Sequence, residues 1–136
     1  MNKRLLEQAG GLQPDERALL LAYADIWSDG SDAGYYLRNL NQEQTGFKTI
    51  DQWEQVMAMA VPIGYNDFNV KRVASWLRRF STEGGPITVA AGREYSVAIY
   101  IKGPDETLNQ MVKLAKRAVK ADETEVQGGI LRIWWD

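Results

Sequence analysis

Between residues 70 and 80 the apolar positions recur with helical spacing. Val70, Val73, Ala74, Leu77 and Phe80 fall within an arc of about 120°, while Lys71, Arg72, Ser75, Arg78 and Arg79 fill the opposite arc and Trp76 stands between them. Residues 67–80 therefore predict one amphipathic helix with a packing face and a cationic stripe. The same period appears upstream. Pro14, Asp15 and Glu16 start a helix, because proline suits the first turn and the acids oppose the positive end of the dipole. Leu19, Leu20, Tyr23, Ile26 and Trp27 give it a buried face, and the turn formers at 28–31 stop it. Asp32 caps a short second helix over 33–40. Thr49 and Gln52 spell a capping box for a third, whose buried side is Ile50, Trp53, Val56, Met57 and Ala60. Pro62 and Gly64 end that helix; Asn66 or Asp67 caps the cationic one, and Gly84-Gly85-Pro86 terminates it.

Beyond Pro86 the period changes to two. Ile87, Val89 and Ala91, then Tyr95, Val97, Ile99 and Ile101, alternate with small or polar residues around a turn at 91–94, which predicts a β-hairpin with Arg93 at or near its tip. Gly103-Pro104-Asp105-Glu106 repeats the helix-start chemistry, and Leu108, Met111, Val112, Ala115 and Val119 line the inner face of a last helix reaching about residue 121. Residues 122–129 read as a polar loop and 130–135 as a closing strand added to the hairpin sheet. The first ten residues read as an arm or short helix set off by Gly10 and Gly11. The expected fold is α+β: an N-terminal helical bundle followed by a β-hairpin, a helix and a closing strand. It forms a single domain over 1–136, with a helical part at about 12–83 and a sheet part at about 86–135.

Composition narrows the chemistry. The 136 residues are 45% hydrophobic and 25% charged, enough for one domain with a real core, and contain neither Cys nor His. The commonest general base, thiol nucleophile and thiolate metal ligand are missing, so the expectation is a non-enzymatic protein with no cofactor and no metal. Asp25, Asp29, Gly30 and Asp32 resemble a calcium loop only superficially, because Trp27 and Tyr36 occupy the third and twelfth positions where oxygen ligands belong. The acid pairs Asp15/Glu16 and Asp105/Glu106 sit at helix starts, where the dipole accounts for them. No apolar run approaches membrane-span length, and a cytoplasmic location is expected.

Net charge is only -2, so its distribution carries more information than its sum. Lys and Arg against Asp and Glu number 5 against 10 in residues 1–67, 6 against 2 in residues 68–102 and 5 against 6 in residues 103–136. The basic centre predicts a local contact with an anion.

The order helix, short helix, capped helix, cationic helix, hairpin resembles the winged helix-turn-helix DNA-binding fold over about residues 14–101. That resemblance implies a regulatory protein bound to duplex DNA, with residues 50–60 as the supporting helix, 67–80 as the recognition helix and 87–101 as the wing. Lys71, Arg72, Ser75, Arg78, Arg79 and Arg93 then stand where the family's nucleic-acid contacts arise. A second basic row, Lys113, Lys116, Arg117 and Lys120, is explained by its place near a helix C-terminus and carries no expected site. In the C-terminal strand Trp134 and Trp135 point to opposite faces, which calls for a cover on both sides, supplied by the last helix or by a homodimer through this strand. The alternative function is a protein-interaction module, an accessory or inhibitor protein that docks an acidic partner, with the Trp-rich strand making the contact.

Overall fold

The computed structural model describes residues 39–40, 46–60, 67–94 and 96–136. They form an antiparallel sheet with helices against one face: β1 (Asn39–Leu40), α1 (Ile50–Ala60), α2 (Val70–Gly84), β2 (Thr88–Glu94), β3 (Ser96–Lys102), α3 (Asp105–Ala118), β4 (Glu123–Gln127) and β5 (Ile130–Trp135). The strand order is β1-β2-β3-β5-β4. This is the expected α+β class. The helix expected at 14–27 lies outside the described residues, as does most of the one at 33–40; Asn39 and Leu40 are a short strand instead, paired with Glu94 and Arg93.

Each described helix begins as its spelling dictates. At α1 the capping box closes reciprocally: the Thr49 N–H donates to Gln52 Oε1 at 3.0 Å and the Gln52 N–H donates to Thr49 Oγ1 at 3.2 Å. At α2 the cap is Asn69, one of three Asx residues in the approach, whose Oδ1 accepts from the Arg72 N–H at 2.9 Å. The expected cap at Asn66 or Asp67 shifts accordingly. The predicted packing face of α2 is the observed one: Val70, Val73, Ala74, Leu77 and Phe80 are buried, and Trp76 is buried with them, edge-on to Phe80 at 5.1 Å. Each such large side chain contributes about 1.5–3 kcal/mol by leaving water.

Val89 and Ala91 of β2, Val97, Ile99 and Ile101 of β3, and Leu131, Ile133 and Trp135 of β5 point toward the helices and close the main core with Leu108, Met111 and Ala115 of α3. An aromatic row crosses that core, Trp53 to Phe68 at 6.4 Å and Phe68 to Trp135 at 4.9 Å between ring centroids. On the other face Ala90, Ala98 and Tyr100 form a smaller cluster with Phe47, Ile130 and Trp134 against it, and Lys102 Nζ lies 4.2 Å from the Phe47 ring centroid.

Two expectations about the sheet change. The hairpin has a strand on each side: β2 is flanked by the short β1 and by β3, and β3 by β2 and β5, so both strands lie inside the sheet. The polar stretch read as a loop contains β4, joined to β5 by Gly128 and Gly129 at φ 61° and 76°. Positive φ at both positions is the signature of the tight hairpin turn whose twist matches the strands. Between β3 and α3, a Cβ built on Gly103 would stand 2.7 Å from Ile87 Cγ2, so this crossing is close enough to require glycine. No described helix is long and apolar enough to cross a membrane.

Candidate nucleic-acid interface

The six residues expected to contact nucleic acid separate into three groups. Lys71, Arg72, Ser75 and Arg79 are exposed along one face of α2, about 12 Å from first to last at 1.5 Å per residue. Arg78, at the edge of that arc, turns to α1. Its Nη2 lies 2.8 Å from Asp51 Oδ1 and 2.6 Å from Glu54 Oε1, and its Nε and Nη1 make longer bonds to the same two acids. Hydrogen bonds to Glu54 and then Asp51 hold the guanidinium above its already high ordinary value. With its charge met by two carboxylates, Arg78 is a clasp between α1 and α2. Arg93 lies near the tip of the β2–β3 hairpin, as expected, one pair before its end, and is paired with Val97 of β3 and with Leu40 of β1.

The fold supplies a partner for the start of α2 that the sequence pattern does not announce. Trp135 is fully buried; its ring meets Phe68, two residues before α2, and its Nε1 donates to the carbonyl of Val119, the residue following α3, at 2.8 Å. At the opposite end, a Cβ on Gly85 would come within 3.5 Å of Pro104 Cγ, so the end of α2 meets the start of α3. The two helices are therefore antiparallel neighbours. Lys71 and Arg72 in the first turn of α2 share one end of the helix layer with Lys116, Arg117 and Lys120 at the close of α3, and all five are exposed. Among the described residues none of the five is paired with an acid. Acids near that end are engaged in part: Asp122 Oδ2 accepts the Asp136 N–H at 2.8 Å and Glu123 lies 3.6 Å from Arg132.

The two helices treat their dipoles differently. In α3 the acids Asp105 and Glu106 occupy the first turn and Lys116 and Arg117 the last, as electrostatics favours. In α2 the first turn holds no acid and two cations, and the last turn holds no cation. A cation placed at the positive end of a helix costs about 0.3–1 kcal/mol; the acid next to this end, Asp67, stands two residues before the Asn69 cap and outside the helix. The α3 row, assigned no site from its spelling, stands beside the start of α2; the signal for that neighbourhood lay in the Trp135 contact, which spacing does not reveal. Compared with known proteins, the chain matches no protein family, no curated protein and no solved structure.

Proposed function

We propose that the protein binds nucleic acid through the phosphate backbone, using the end of the helix layer where Lys71 and Arg72 adjoin Lys116, Arg117 and Lys120, with Ser75 and Arg79 continuing the surface along α2. The observation that carries this reading is the Phe68–Trp135–Val119 junction, which brings the start of α2 to the end of α3. Cations at the positive end of α2 support it further, since that helix end with its orphan N–H groups attracts anions. The helices, not a wing, make the contact. The side chains that dominate the surface are phosphate ligands, which fix position without reading sequence.

Fluorescence polarisation on random-sequence duplex DNA across a salt series tests the reading. Five phosphate contacts predict log K falling with log salt at a slope of about -4 to -5. Absence of binding at low salt, or a slope near zero, refutes it.

A further inference from the structure

β4 ends the sheet. It pairs with β5 alone, through Glu123↔Trp134 to Gln127↔Ile130, and among the described residues nothing hydrogen-bonds to its other edge. All its residues except Thr124 are exposed, including Val126 at 41%. The two-residue turn closes on a hydrogen-bonded pair at Gln127 and Ile130, so by alternation Glu125 also faces β5 with its main chain. Thr124 and Val126 then present their N–H and C=O groups outward, a strand template that no described residue fills.

The sheet face beside this edge is shaped. Tyr100, Arg132 and Glu125 align across β3, β5 and β4, and with Gln127 and Ile130 they line a cleft of about 230 Å³ on the face away from the helices. Arg132 is drawn to Glu123, 3.6 Å away, while among the described residues Glu125 makes no ion pair although it stands opposite Arg132 in register. Counting Glu123, Glu125 and Arg132, the cleft mouth carries one net negative charge. A strand added beside β4 would lie about 4.8 Å from it, and its side chains on this face would approach Glu125 first. A Lys or Arg on such a strand would set its charge against Glu125, with its methylenes lying along the outer side of β4.

We propose that β4 is an acceptor edge for an extended, basic segment of a partner protein. The segment adds as a sixth strand, exchanges main-chain hydrogen bonds with Thr124 and Val126, and places a Lys or Arg in the cleft at Glu125. This interaction is independent of the helix-layer surface that meets nucleic acid.

The test uses the full chain, labelled with ¹⁵N, and a blocked seven-residue peptide alternating Thr and Val with one central Lys. Its controls carry Glu or Ala in place of that Lys. The Lys peptide should shift and protect the amides of Thr124 and Val126 and bind at least about fivefold tighter than the Glu peptide, the size expected of one charged hydrogen bond at a half-open site. Glu125→Gln should bring that ratio to about one. Val126→Pro, which deletes one outward N–H, should abolish binding of every peptide; should this variant not fold, amide protection in the unsubstituted protein decides the same question. The proposal is overturned if the Lys peptide does not bind, if the Glu peptide binds equally well, or if the shifts fall on α2 and α3. It is also overturned if Thr124 and Val126 are already protected in a free protein of doubled mass, because a second copy would then own the edge.

Discussion

Truncating Arg78 to alanine distinguishes a helix clasp from a phosphate ligand. The guanidinium makes two short bonds, 2.8 Å to Asp51 and 2.6 Å to Glu54, and its side chain remains 41% exposed, with Asp51 at 85% and Glu54 at 29%. Exposed ion pairs of this kind contribute about 0.2–1 kcal/mol each, reduced by solvent screening and salt. Two of them, with Glu54 the better shielded, place the loss at about 0.5–2 kcal/mol. Leu77, fully buried on the opposite face of the same helix, gives the scale: Leu77→Ala should cost about 2–5 kcal/mol through transfer and cavity terms. Urea unfolding of Arg78→Ala, Glu54→Gln and the double variant should show a coupling energy of about 0.3–1 kcal/mol. The DNA salt slope of Arg78→Ala should stay at the unsubstituted value, whereas Lys71→Ala should lower it by about 0.9. An Arg78→Ala protein with unchanged urea midpoint and a slope lowered by the same amount would refute the clasp and return Arg78 to the phosphate-contact set.

Two other substitutions probe what holds the surface together. Trp135→Phe keeps a ring against Phe68 but removes the donor to the Val119 carbonyl, leaving a buried acceptor; calorimetry should show a loss of about 1–3 kcal/mol, and DNA affinity at fixed salt should fall even though no cation is touched. Gly103→Ala brings a methyl group into Ile87 and should cost about 1–3 kcal/mol in thermal unfolding, while the DNA salt slope stays unchanged.

Most elements among the described residues were legible because periodicity and capping agree. Thr49 and Gln52 announce α1, five apolar residues at helical spacing announce α2, and alternation announces β2 and β3. β4 was not legible. Its residues, Glu-Thr-Glu-Val-Gln, hold a single large apolar side chain, because an edge strand needs little burial and its identity rests on pairing with β5. β2 also runs on to Glu94, through the stretch 91–94 expected to turn. Arg78 and Arg79 are adjacent and alike in sequence; the position of Asp51 and Glu54 across the helix pair makes Arg78 the clasp. The same limit hid the surface around Lys71, Arg72, Lys116, Arg117 and Lys120. Side-chain spacing describes one helix at a time, and a contact between the start of one and the end of another is written in the tertiary fold.

The placement of β5 between β3 and β4 also orders the assembly of the sheet in time. Two of its seams are hairpins, β2 with β3 and β4 with β5, whose partners are close in sequence and pair at small entropic cost. The seam between them joins residues from 28 apart, Lys102 to Ile130, to 38 apart, Val97 to Trp135, with α3 in the intervening chain, so its loop closure costs more entropy. Long-range pairing of this kind sets folding rates. Shortening Ile99 or Ile133 on that seam should therefore slow refolding, whereas changes confined to the outer strand β4 should act mainly on unfolding.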